Sequence, residues 1–120
     1  KTLIMKNLLF FVAVITTMAL AAQAPEPTYK KQGDLVKATL FYDSGAVAQT
    51  GFYMSGKLHG EWTMFNKEGN KLAMGSYNLG AKTGKWFFWE GQALKEVDFI
   101  NNKMAAITQW DNKGTVVLNK

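Results

Sequence analysis

His59, the only histidine of the chain, is the side chain best suited to act as a general base or a metal ligand near neutral pH. The chain has no cysteine and no second histidine that could share a metal ion with it. Ser44, Ser55 and Ser76 are possible nucleophiles, but none has an evident base and orienting acid, and a serine triad needs both. We therefore interpret His59 as an exposed residue of a hairpin turn.

Two kinds of segment come close to known ion-binding loops. The segment GAKTGKW, residues 80–86, is one residue short of a phosphate loop, and Trp86 stands where that loop has a magnesium-binding Ser or Thr. The acidic turns at residues 43–45 and 111–114 lack the alternating oxygen ligands and distal Glu of a calcium loop. The prediction is a protein with no metal, no cofactor and no enzymatic activity.

The charged residues of the chain argue against two classes of partner. All 14 basic residues are lysines, set against 9 acidic residues. Arginine is the residue best suited to bidentate contacts with phosphates and base edges, so nucleic acid is not expected to bind. The lysines form neither a block nor an amphipathic helix, so we do not expect binding to a membrane surface.

The N-terminus has the pattern of a secretory signal peptide, predicted over residues 1–21. A charged start at Met5 precedes the apolar run at 8–20, which is too short to span a bilayer comfortably. Residues 1–4 are interpreted as an upstream extension. Residues 22–33 are predicted to be a flexible lead-in, and residues 34–120 a folded repeat domain.

Cleavage is expected after Ala21, with Ala24 as the alternative position. Cleavage after Ala21 removes Lys1 and Lys6 and no acid, so that the formal charge of +5 becomes +3. No cysteine is present for N-terminal lipid attachment, so a lipoprotein is not expected. We predict a soluble exported protein, located in the periplasm or outside the cell.

A sequence period of 24 residues is visible when residues 41–64 are laid over residues 65–88 without a gap. The alignment matches four pairs of glycines, which are Gly45/Gly69, Gly51/Gly75, Gly56/Gly80 and Gly60/Gly84. Short runs rich in Val, Thr, Phe, Tyr and Trp separate turn sequences in each copy, as in β-strands. A weaker third copy starts at Trp89. The pattern predicts an all-β meander of about eight antiparallel strands.

The segments GKLHGEW (56–62) and GAKTGKW (80–86) resemble the MORN repeat, in particular the bacterial variant found in antitoxins of the YwqK type. The resemblance covers roughly residues 41–110. It implies a single-layer, twisted sheet of β-hairpins and a role in binding or scaffolding without a catalytic set. A nucleotidyltransferase is disfavoured, because such enzymes have a His-x-Gly-His motif and His59 is followed by Gly and Glu.

The repeated tryptophans Trp62, Trp86 and Trp110 are predicted to form the structural spine of the sheet. Burying one large aromatic side chain removes about 150–250 Å² from water, which makes a tryptophan at each repeat a strong source of stability. Side chains alternate between the two faces of a strand, so the neighbours of the spine residues point the other way.

The opposite face is predicted to carry Phe65, Phe87 and Trp89. The preferred hypothesis is a non-enzymatic module that binds a protein partner through these three residues, with self-association also possible. An antitoxin or immunity-type inhibitor of a toxin is the alternative that the resemblance implies. A third possibility is that the aromatic residues pack against the protein's own tail at residues 24–34.

Overall fold

In the computed structural model, which describes residues 25–110 and 116–119, the chain forms one open nine-stranded sheet. The strands are β1 (Thr28–Gln32), β2 (Leu35–Phe41), β3 (Val47–Met54), β4 (Lys57–Phe65), β5 (Lys71–Asn78), β6 (Ala81–Glu90), β7 (Ala93–Ile100), β8 (Lys103–Trp110) and β9 (Val116–Asn119). Each strand pairs antiparallel with its neighbours in sequence. The predicted all-β meander is confirmed, with one strand more than the approximate eight.

The predicted signal peptide at 1–21 and the turn at 111–114 lie outside the described residues. Within the part of the chain that the structure describes, no helix is long and apolar enough to cross a membrane.

Residues 28–32 form β1, although the sequence analysis assigned them to a flexible lead-in. Thr28 and Tyr29 favour extended structure, and Gly33 takes a φ of +62° in the turn that returns the chain into β2. All five side chains of β1 are exposed. Its two lysines lie on an edge strand, where charge discourages pairing with another chain.

The turns within residues 42–102 follow two designs. Long turns occupy residues 42–46 and 66–70, and the other turns have two residues each. Three of the two-residue turns have positive φ at both positions, which is typical of type I′ hairpins. They are Ser55-Gly56, Leu79-Gly80 and Asn101-Asn102.

The core consists of one face of the sheet, with Trp62 and Trp86 at its centre. Their exposed fractions are 2% and 1%. The Trp62 ring covers Gly51 on β3, and the Trp86 ring covers Gly75 on β5. A side chain at either glycine would occupy the space of the indole, so the glycines are needed for close approach.

The same contacts recur around both tryptophans at the sequence period. The indole Nε1 of Trp62 donates to the Phe52 carbonyl oxygen at 2.8 Å, and Nε1 of Trp86 donates to that of Ser76 at 3.0 Å. Tyr53 meets Trp62 edge-on at 5.3 Å between ring centroids, and Tyr77 meets Trp86 at 4.9 Å. Each repeat therefore builds the same small aromatic core.

The third copy uses different residues in the same row. Val97 lies opposite Trp86, and Ile107 lies opposite Val97. Trp110 does not continue the row: it ends β8 opposite Leu94 and is 39% exposed. The turn between β6 and β7 has two residues where the corresponding turn before it has five, so the 24-residue count no longer identifies equivalent positions.

Candidate functional site: an aromatic strip on the second face

Phe65, Phe87 and Trp89 lie on the face opposite Trp62 and Trp86, as the alternation of side chains along β4 and β6 requires. All three are half-buried. The rings of Phe87 and Trp89 are 6.3 Å apart between centroids, with an angle of 34° between their planes. Phe65 lies one repeat away and lines a different trough. The structure thus brings two of the three predicted residues together.

An aromatic residue lies at or next to the C-terminal end of every second strand on this face. These residues are Phe41 on β2, Phe65 on β4, Trp89 on β6 and Trp110 on β8. Apolar residues of the strands between them fill the gaps, namely Val47, Leu72 and Leu94. We call these seven residues the aromatic strip. Leu72 and Trp110 are its most exposed members, at 42% and 39%.

Two members of the strip, Phe41 and Trp110, were not assigned to this face by the sequence analysis. Phe41 could have been found from the period, because it precedes Phe65 by 24 residues, as Phe65 precedes Trp89. Trp110 also lies 24 residues after Trp86, and that spacing pointed to the spine. The shortened turn before β7 moves it to the other face.

Two troughs open onto the strip, and they are related by the repeat. The first has a volume of about 520 Å³ and is lined by Lys37, Thr39, Val47, Thr50, Phe65 and Gly69. The second has a volume of about 490 Å³ and is lined by Asn66, Asn70, Lys71, Leu72, Trp89 and Gly91. Phe65 and Trp89 occupy equivalent positions in successive repeats. The strip therefore presents two similar sites side by side.

The second trough offers hydrogen-bond donors. Within the described residues, the indole N–H of Trp89 has no acceptor, in contrast to those of Trp62 and Trp86. The Asn66 side-chain oxygen accepts from the backbone N–H groups of Glu68 at 3.1 Å and Asn70 at 2.9 Å. Its amide nitrogen is the group that remains to donate elsewhere. These donors suit a ligand that brings carbonyl oxygens.

Each trough also holds one lysine, Lys37 in the first and Lys71 in the second. Neither forms an ion pair with any residue that the structure describes. Lys85, farther along the same face, is different. Its ammonium lies 3.1 Å from a Glu96 oxygen and 3.3 Å from an Asp98 oxygen.

Those two carboxylates raise the pKa of Lys85, mainly through hydrogen bonds with Glu96 and then with Asp98. The charge of Lys85 is therefore largely matched within the sheet, whereas those of Lys37 and Lys71 are available to a ligand. The charge of the two troughs is positive.

His59 has a structural contact that the sequence analysis did not foresee. Its Nδ1 accepts a hydrogen bond from the backbone N–H of Leu79 at 3.2 Å, and the Gly80 N–H donates to the Leu58 carbonyl oxygen at 2.7 Å. His59 is half-buried in β4, and it holds the turn of the next hairpin. Lys82 and Asn102 make a comparable contact one repeat later, where the Asn102 N–H donates to the Lys82 carbonyl oxygen at 2.8 Å.

Among the described residues, no group of three His, Cys, Asp or Glu side chains lies close enough to hold a metal ion. The arrangement on the second face is an apolar strip with N–H donors and two lysines, which is chemistry for binding. A comparison with models of protein families finds no family that matches the chain, and a comparison with curated proteins finds no matching relative.

Proposed function

We propose that this chain is a non-enzymatic binding or scaffolding module that contacts a protein partner through the aromatic strip and Phe87. The observation that carries the proposal is the row of aromatic side chains on a sheet face that no other described element covers. The resemblance to MORN repeats, which is a prediction from sequence, supports the same role.

The energetics favour a contact surface at this place. Contiguous apolar patches on soluble proteins mark interaction sites, because exposing them to water is unfavourable. Tryptophan and other large aromatics dominate interface energies when they anchor in a partner, and truncating one costs about 2 kcal/mol or more. Trp89 meets this description best, since its ring adjoins Phe87 and lines the second trough.

We further propose that the mature protein is exported and begins near Ala22. The intact mass of the protein recovered from the periplasm or medium tests this directly, and a soluble species that retains Met5 would contradict it. An inhibitor of a toxin would use the same aromatic face. Identification of the captured partner as a toxin would assign that role.

The test of the binding function compares the parent with the double variant Phe87→Ser/Trp89→Ser. Pull-down from an envelope fraction should recover a specific partner with the parent and lose it with the variant. Thermal unfolding should show that the variant stays folded, and light scattering reports self-association. Tyr29→Ser is the matched control, because Tyr29 is 62% exposed on β1 and lies outside the strip. A double variant that unfolds while the parent is monomeric and partner-free would make these residues internal core.

A further inference from the structure

We propose that the aromatic strip binds an acidic, proline-rich segment in the polyproline II conformation, lying across the strands. This inference rests on the proposed protein-binding function and names the chemistry of the segment that is bound. Three independent properties of the strip point to it: the spacing of its aromatic residues, its N–H donors and its lysines.

The spacing of the strip matches the repeat of a polyproline II helix. Neighbouring strands lie about 4.8 Å apart, so aromatic residues on alternate strands recur at about 9.5 Å. A polyproline II helix rises about 3.1 Å per residue with three residues per turn, so that equivalent side chains recur at about 9.3 Å. Every third residue of such a segment would therefore meet one of Phe41, Phe65, Trp89 and Trp110 in turn.

Other peptide conformations match the strip less well. Side chains on one face of an extended strand recur at about 6.7 Å, which coincides with neither one nor two strand spacings. Two turns of an α-helix advance about 10.8 Å, and the mismatch accumulates to about 4 Å over the three intervals of the strip.

The hydrogen-bond donors favour the same conformation. A polyproline II segment has no internal hydrogen bonds, so its carbonyl oxygens remain available. The indole N–H of Trp89 and the amide nitrogen of Asn66 are directed to the trough that would receive them. An α-helix satisfies its carbonyl oxygens internally and would leave these donors unused. Recognition of proline-rich segments by aromatic grooves uses this preformed conformation.

The lysines determine the charge of the segment. Lys37 and Lys71 lie in the two repeat-related troughs, and neither has an acidic partner in the described part of the chain. Acidic residues at the repeat of the segment would place one carboxylate near each lysine. The complementary ligand is a chain in which proline and glutamate or aspartate recur every third residue.

The probe for this inference is a fluorescein-labelled peptide, (Pro-Pro-Glu)5, titrated with the mature protein and followed by fluorescence anisotropy. Two peptides of equal length are compared with it: (Pro-Pro-Lys)5, with the opposite charge, and (Glu-Ala-Ala)5, with the same charge and a preference for helix. We expect (Pro-Pro-Glu)5 to bind at least tenfold more tightly than either.

Variants of the protein test the individual contacts. Trp89→Phe keeps an aromatic ring but removes the N–H donor, and should weaken binding of (Pro-Pro-Glu)5 by roughly three- to tenfold, the effect of one hydrogen bond. Lys71→Gln should weaken it severalfold and reduce its dependence on salt. Tyr29→Phe should leave it unchanged. Circular dichroism verifies that each variant is folded.

Equal binding of the three peptides, or binding that Trp89→Phe does not change, overturns the inference. Competition separates this inference from the proposed function. If pull-down recovers a partner that depends on Phe87 and Trp89 but (Pro-Pro-Glu)5 does not displace it, the binding function stands and the polyproline inference fails. If (Pro-Pro-Glu)5 does displace the partner, both are supported.

Discussion

The indole ring of Trp86 lies flat over Gly75 on the neighbouring strand, so that a Cβ atom added at Gly75 would overlap the Cδ2 atom of the ring. Trp62 covers Gly51 in the same way one repeat earlier. A single-layer sheet has no second layer to bury its large side chains. Here the backbone of the next strand serves as the surface against which each indole packs, and this requires a residue without a side chain.

Gly75→Ala should therefore destabilise the sheet by about 3 kcal/mol, because the added methyl group displaces a ring that is 1% exposed and well packed. Gly84→Ala is the matched control. Its Cβ would enter open space, and its φ of +69° makes the cost about 1–2 kcal/mol. Chemical denaturation measures both. In a Trp86→Ala background the penalty of Gly75→Ala should disappear, and a penalty that remains would contradict the packing explanation.

Trp86→Ala should cost about 3–5 kcal/mol, the usual range for a large aromatic residue in a core. His59→Ala removes one hydrogen bond to the backbone N–H of Leu79 and should cost about 1 kcal/mol. Trp110→Ala should cost clearly less than Trp86→Ala, because Trp110 is 39% exposed. Denaturant midpoints at constant m-value rank the three variants. Equal effects of Trp86→Ala and Trp110→Ala would restore Trp110 to the spine.

The strand content and the first two repeats could be predicted because one local pattern specifies them. Glycines at positive φ and runs of β-branched and aromatic residues identify the hairpins from short segments. The recurrence of Gly51 and Trp62 as Gly75 and Trp86 shows which residues share a face. These features depend on contacts between neighbouring strands, which the 24-residue period preserves.

The positions of Trp110 and of β1 could not be predicted from the same pattern. The face of Trp110 depends on the number of residues in the turn at 91–92, and a shorter turn changes the register of all the residues that follow it. Strand β1 is polar and fully exposed, so it lacks the hydrophobic alternation that identifies a strand. It is held by backbone pairing with β2. The aromatic strip was only partly predicted because it combines residues of seven strands.

Leu79→Asn should stabilise the protein by about 1 kcal/mol. Leu79 has a φ of +46° in a type I′ turn and is 49% exposed, and a left-handed conformation costs an ordinary L-residue about 1–2 kcal/mol. Asn followed by Gly is the preferred sequence for this turn. Leu79→Ala keeps the strained conformation and should give no gain. If both variants were equally stabilising, exposure of the leucine side chain and not backbone strain would be the cause.

Tyr77→Phe should make the protein less sensitive to alkaline pH. Burial raises the pKa of the Tyr77 phenol above its ordinary value of 10.0. The folded state therefore holds this proton more tightly than the unfolded state, so stability is intact below pH 10 and falls as the pH rises above it. The parent should lose more stability than Tyr77→Phe between pH 9 and about pH 11. A smaller loss remains in the variant because the raised pKa of Lys85 acts in the same direction and range. Tyr29→Phe, at an exposed position, should behave as the parent does. Thermal unfolding across this pH range measures the difference, and parallel curves for the parent and Tyr77→Phe would show that ionisation of Tyr77 does not limit stability.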